Sequence, residues 1–209
     1  MGDHVTIYID PVFPHETNEP ADLIIITHDH PDHWNRATVE SLLHDGTRVL
    51  GTPAIASQMH GVEQIRAGMT LTEHGIPLAI VPAYTTRRAN PHALKQTGAM
   101  HANHPFGDAI GFILRIEDKN VYYTGDTDIV PEMNDIAADI VLLPVGGNTT
   151  MDAKAAARAV GILKPRIAIP LHYGTSVGTA DDAELFKELV EREQDTVVLI
   201  LTEGKEIEL

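Results

Sequence analysis

Leu23-Ile24-Ile25-Ile26-Thr27-His28-Asp29-His30-Pro31-Asp32-His33 is the stretch from which the fold can be read. Four consecutive apolar, mostly β-branched residues suit a strand buried on both faces. A dense polar run follows at once. In extended chain, residues two apart share a side, so His28 and His30 can reach one ion together. Where the chain turns into a helix, Asp32 and His33 become free to face a second ion. Imidazole and carboxylate without thiolate suit zinc, manganese, iron or nickel and discriminate poorly among them. A lone His in such a place is usually a surface residue. Three His and an Asp within six residues of an all-apolar strand reverse that expectation.

Working outward, short β-branched runs recur between Gly, Pro and polar punctuation. Expected strands are Val5–Asp10, Asp22–Thr27, Thr47–Gly51, Leu78–Pro82, Ala109–Ile116, Val121–Thr124, Asp139–Pro144, Ile167–Leu171 and Thr196–Leu201. Glu117-Asp118-Lys119-Asn120 reads as a hairpin connection. A helix is expected after the His run, with Trp34, Val39, Leu42 and Leu43 on one face. A second covers the Ala-rich Ala153–Leu163, introduced by a capping-box form at Thr149-x-x-Asp152. A third follows Asp181-x-x-Glu184 and carries Leu185, Phe186, Leu189 and Val190 at helical spacing. Strands and helices in mixed order favour a layered α/β fold. The segment from Ala83 to Pro105 shows little periodicity, and its Arg87, Arg88, Lys95 and several His suit a binding loop.

The His run supplies too few ligands by itself. Tyr122-Tyr123-Thr124-Gly125-Asp126-Thr127-Asp128 is a strand ending in a carboxylate, and Ile167-Ala168-Ile169-Pro170-Leu171-His172-Tyr173-Gly174 is one ending in His. Each polar end is ordinary alone, but each completes a pattern that needs partners.

Thr27-His28-Asp29-His30-Pro31-Asp32-His33 resembles the Thr-His-x-His-x-Asp-His signature of the metallo-β-lactamase superfamily. Ile9-Asp10-Pro11, Gly125-Asp126-Thr127-Asp128, Leu143-Pro144-Val145-Gly146-Gly147 and Pro170-Leu171-His172-Tyr173-Gly174 are similar to the branch holding L-ascorbate-6-phosphate lactonase and N-acylphosphatidylethanolamine phospholipase D. The resemblance implies a four-layer αββα sandwich over one domain, 1–209, shortened at the N-terminus. It implies that His28, His30 and a third His hold one metal, that Asp32, His33 and His172 hold the other, and that Asp126 bridges them. His104-Pro105-Phe106-Gly107 matches the segment carrying the third His, so His104 is chosen, with His101 and His92 as competitors. Asp10 and Thr27 fit supporting roles behind the ligands. Thr150 stands where relatives often carry an aromatic.

Such a centre implies a hydrolase in which a hydroxide between two divalent ions, zinc first among them, attacks a small ester, lactone or phosphoester. Asp32, Asp126 and Tyr173 are the expected catalytic side chains. The missing N-terminal strand would leave a sheet edge that a second copy could cover, giving a homo-oligomer.

Composition narrows the alternatives. The 209 residues include no Cys, which excludes disulfides and a thiolate nucleophile. A formal charge of −15 opposes general binding to nucleic acid or anionic membrane. No signal-peptide pattern or spanning apolar run occurs, and the expected location is cytoplasmic. His-x-His also opens the site of (β/α)₈ amidohydrolases, but such barrels need about 250 residues and leave Asp32-His33 unexplained. The iron redox branch replaces the second His by Glu, so His30 argues for hydrolysis. A thioesterase of glyoxalase II type would carry Gly-His-Thr-Pro-Gly, which is absent. A non-catalytic metal-binding or scaffold protein is the competing class. Arg87, Arg88 and Lys95 could lead an anion to the metals, with a solvated loop as the plain alternative.

Overall fold

The computed structural model describes residues 4–13, 19–86, 104–174, 177–202 and 204–208. Two sheets stack face to face. The first runs β1 (Ile7–Ile9), β2 (Leu23–Ile26), β3 (Arg48–Gly51) and β4 (Val62–Gln64), all parallel. The second holds β5 (Thr70–Glu73), β6 (Ile76–Ala83), β7 (Ala109–Ile116), β8 (Lys119–Tyr123), β9 (Ile140–Pro144), β10 (Ile167–Leu171) and β11 (Val197–Val198). Its spatial order is β11-β10-β9-β8-β7-β6-β5, parallel from β11 to β8 and antiparallel from there to β5. Parallel neighbours need crossovers, and helices supply most of them. These are α1 (Arg36–Ser41), α2 (Pro53–Gln58), α3 (Ala153–Leu163) and α4 (Ala180–Glu193).

Strand alternation explains the layering. All four residues of β2 are buried, yet in two directions. Leu23 and Ile25 join Leu50, Leu78, Ile80, Ile110, Phe112 and Leu114 in the core between the sheets. Ile24 and Ile26 face the other way, against Val39, Leu42, Ile55 and Met59 of the α1–α2 side. A third cluster joins Val141, Leu143 and Ala168 of the second sheet to α3 and to Phe186 and Val190 of α4. Three cores separate four layers, and the expected αββα sandwich is the result. The many Ala of α3 are buried and let that helix lie close to its neighbours.

Several expectations change in detail. The first helix buries Val39 and Leu42, but Leu43 is exposed because α1 is only six residues long and ends before it. The N-cap of α3 is Asp152, not Thr149: its side chain accepts from Ala155 N at 2.7 Å. The capping box of α4 is Thr179 with Asp182, two residues earlier than Asp181 with Glu184. Phe186 and Val190 are buried, whereas Leu185 is exposed. Pairing in the β7–β8 hairpin continues to Ile116 and Lys119, so the connection is Glu117-Asp118, with Glu117 at φ 53°. Strands β4 and β5 and helix α2 were not anticipated, and β11 is two residues long. Of the unassigned Ala83–Pro105 segment, residues 87–103 lie outside the described residues, as do Arg87, Arg88, Lys95, His92 and His101. Among the described residues no helix is long and apolar enough to cross a membrane.

Candidate metal centre

Loops at one edge of the sandwich deliver every candidate ligand that is described. Parallel strands present their C-terminal ends on the same side, which is where open α/β sheets place their chemistry. His28, His30, Asp32 and His33 follow β2; Asp126 follows β8; His172 follows β10. His104 precedes β7, which runs antiparallel to β8 and therefore starts at that edge. The approach to Asp126 needs glycine. Gly125 has φ +66°, and a Cβ there would lie 2.4 Å from Ile110 O. Gly146 is required by contact: a Cβ would lie 2.1 Å from His172 O. His172 itself holds φ 57° and Asp10 φ 46°, sparsely populated conformations for residues with side chains.

The donor atoms form two groups around one carboxylate. His104 Nε2 is 3.2 Å from both His28 Nε2 and His30 Nδ1. On the other side, His33 Nε2 and His172 Nε2 are 2.8 Å apart, with Asp32 Oδ2 at 3.9 and 3.8 Å. Asp126 presents a different oxygen to each group. Its Oδ1 lies 3.1 Å from His172 Nε2 and 3.5 Å from His33 Nε2, while its Oδ2 lies 3.5 Å from His104 Nε2. Within each of the sets His28/His30/His104, His28/His33/Asp126 and Asp32/His33/His172, one ligand atom per residue lies within 4.8 Å of the others.

Hydrogen bonds behind the ligands set the tautomers. Thr27 Oγ1 donates to Asp10 Oδ2 at 2.7 Å, so its own proton is committed. His28 Nδ1, 3.0 Å from that hydroxyl, must then be the donor, and its Nε2 is left as a lone pair facing the centre. His33 Nδ1 lies 2.8 Å from Asp10 Oδ2 and donates to it, which again turns Nε2 inward, as the nitrogen that ligates once the ring gives up its second proton. Lone pairs of several imidazoles aimed at one another are poorly satisfied by protons and well satisfied by cations. The residues therefore fit divalent metal ions.

Titration differs between the groups. Burial lowers His28, His30 and His104, the last to about 4. Burial also opposes charge on His33 and His172, but the Asp126 carboxylate outweighs it and raises both, His33 to about 9 with help from Asp10. Asp126 is fully enclosed, which alone would favour its neutral form; His172 and His33 reverse that and hold it well below the usual carboxylate range.

The structure thus gathers His28, His30, Asp32, His33, His104, Asp126 and His172, and it sets Asp10 and Thr27 behind them. Tyr173 is the exception. Its hydroxyl donates to Leu201 O at 3.0 Å and its ring packs on the α3–α4 core, so the hydroxyl is already engaged away from the expected role of proton donor.

One supporting device was missed. Asp128 Oδ2 accepts from Thr86 N at 2.8 Å and Thr86 Oγ1 at 3.0 Å. Thr85 in turn pairs with the backbone of His104, N to O at 2.9 Å and Oγ1 from His104 N at 3.0 Å. The second Asp of Gly125-Asp126-Thr127-Asp128 thereby secures the segment that carries His104. The motif contained that residue, but nothing in the sequence linked it to Thr86.

Comparison with known proteins identifies the family. The model of the β-lactamase superfamily domain matches residues 1–172. The chain belongs to that superfamily. Among the relatives of this β-lactamase-superfamily chain, a UPF0173 metal-dependent hydrolase of Methanopyrus kandleri is 33% identical over 223 residues, covering 99% of this chain and 93% of that one. Another from Thermofilum pendens is 35% identical over 196 residues, covering 90% and 78%. Igni18, a metallo hydrolase from Ignicoccus hospitalis, has a similar structure, with a TM-score of 0.75 and 25% identity over 98% of this chain and 91% of that one.

Proposed function

We propose that this superfamily member is a dinuclear metal-dependent hydrolase acting on a small ester, lactone or phosphoester. The observation that carries the reading is the division of Asp126, one oxygen toward His33 and His172 and the other toward His104. A carboxylate so placed suits two ions, one with His28, His30 and His104, the other with Asp32, His33 and His172. When bound, zinc, or manganese, iron or nickel in the same ligand set, supplies a water of lowered pKa and a Lewis acid for the electrophile's oxygen.

The chain's own residues do the rest. Asp10 and Thr27 fix the rings of His33 and His28 with Nε2 turned inward, so neither ring has to reorient during a cycle. The buried His28, His33, His104 and Asp126 form the closed floor. His30, Asp32 and His172 are half-buried and form the side open to substrate. On this reading Asp32 takes the proton released by the attacking water and hands it to the leaving group, a role for which the Tyr173 hydroxyl, bonded to Leu201 O, is not free. The relatives named metal-dependent hydrolases support hydrolysis in general. Lactone and phosphodiester substrates rest on the motif resemblance alone.

The test is a panel of esters, lactones and phosphoesters with protein loaded in turn with zinc, manganese and nickel. Turnover is expected in at least one class and is expected to vanish in Asp126→Ala while the circular dichroism of the fold is kept. A metal-loaded wild type inert across the whole panel would favour the non-catalytic metal-binding reading.

A further inference from the structure

A cavity of about 400 Å³ opens directly onto His28, His30 and His104. Its wall includes Thr52 and Arg66, neither of which the metal centre uses. Thr52 is 2% exposed, and its Oγ1 is buried with no hydrogen-bond partner among the described residues. That is unusual for this residue in this position. Thr52 is the N-cap of α2, where a hydroxyl ordinarily accepts a backbone N–H, yet no such cap bond is made. A buried hydroxyl left unpaired destabilises the fold unless something else satisfies it.

Arg66 is the cationic side chain of this wall. Among the described residues it forms no ion pair; its guanidinium reaches only Gln64 Oε1, at 3.4 Å. Its backbone is anchored in a turn, with Met69 N donating to Arg66 O at 3.1 Å and Arg66 N donating to Met69 Sδ at 3.3 Å. Asp29 and Asp108 also line the cavity and make it hostile to polyanions. Asp29 is partly engaged, accepting from Gln58 Nε2 at 3.2 Å.

We infer that Arg66 and Thr52 form a subsite for a single anionic group, a carboxylate or its equivalent, carried by the substrate beside its reacting ester. The inference rests on the reading of His28, His30 and His104 as metal ligands. The two donors suit a carboxylate in different ways. The guanidinium offers a charged fork, and a χ1 turn of Thr52 brings its enclosed, unpaired hydroxyl to the carboxylate as a second donor. The substrate class becomes a small ester, lactone or phosphoester bearing one negative charge away from the reacting group.

The test uses binding, so it does not depend on finding the substrate. Calorimetry on zinc-loaded protein compares phosphonoacetate and 3-phosphonopropionate with methylphosphonate, which has a metal-seeking head and no carboxylate. At least one carboxylated probe is expected to bind about tenfold tighter than methylphosphonate. Arg66→Gln should erase that advantage and leave methylphosphonate unchanged. Thr52→Val should reduce it while melting temperature holds or rises, because an unpaired buried hydroxyl is removed; a structural Thr52 would instead lower the melting temperature. A carboxylated probe with no advantage, or an advantage intact in both variants, overturns the subsite. Methylphosphonate binding that does not need zinc overturns the metal-centre reading, and the subsite falls with it.

Discussion

His104 and His33 face different oxygens of Asp126, and their imidazoles are pushed in opposite directions. Around His104, His28 and His30, burial wins and the rings stay neutral, with His104 down at about 4. Around His33 and His172, burial loses to the Asp126 carboxylate, and His33 rises to about 9. The three-His half is thus ready for a cation at neutral pH without giving up protons. The half containing Asp32, His33 and His172 must release protons first, because a ligating imidazole has to be neutral. The centre is asymmetric before any ion arrives, and on the proposed dinuclear reading its two positions should load in order, the three-His position first.

The largest effect that can break this comparison comes from Asp10. Its carboxylate touches His33 directly and reaches His28 only through Thr27. Asp10→Asn should weaken zinc at the His33 position by roughly 10- to 100-fold and disturb the three-His position much less. Two-step titration calorimetry reads this, and equal losses at both positions would remove the distinction. A smaller effect in the other half is expected from Asp128→Ala, which releases Thr86 and so the segment pairing with His104. Affinity at the three-His position should drop about tenfold, at the low end for such supporting groups, with the His33 position unaffected. Asp128→Asn, which keeps an acceptor, should recover most of the loss.

The pH dependence of the metal-free fold separates the halves more gently. His33 is raised when folded, so its contribution is fully present below the ordinary imidazole value near 6.5 and fades as pH climbs through about 9. His104 is lowered, so its contribution is present above 6.5 and fades as pH falls toward about 4. Melting temperatures of metal-free protein should accordingly decline on both sides of neutrality. His33→Gln should flatten the alkaline side alone, and His104→Gln should flatten part of the acid side alone. The smallest effect is a control far from both halves: Asp152→Ala, losing the α3 cap, should cost about 1 kcal/mol of stability and leave zinc binding unchanged.

What could be read from the sequence follows from what periodicity and punctuation report. Leu23–Ile26 and Ile140–Leu143 announce themselves as doubly buried strands, and the polar residues just beyond β2, β8 and β10 are the ones that the structure gathers. Strands β4 and β5 gave no such signal, since Val62-Glu63-Gln64 and Thr70–Glu73 are short, partly exposed and half polar. Helix α2 did carry one, a Pro at its first position after Thr52, but six residues hold too little periodicity to weigh. The caps of α3 and α4 were misplaced because Thr and Asp crowd both helix starts, and only backbone geometry chooses among them. Asp128, Thr52 and Arg66 gain meaning from neighbours distant in sequence. Tyr173 adjoins His172 in sequence, yet its hydroxyl ends on Leu201.

The central claim is that Asp126 stands between two ion positions of unequal character. Zinc titration of the metal-free protein by calorimetry at neutral pH tests it most directly. Two ions per chain, in two resolved steps with protons released mainly in the second, is the predicted result. A single ion per chain, or none, would contradict it.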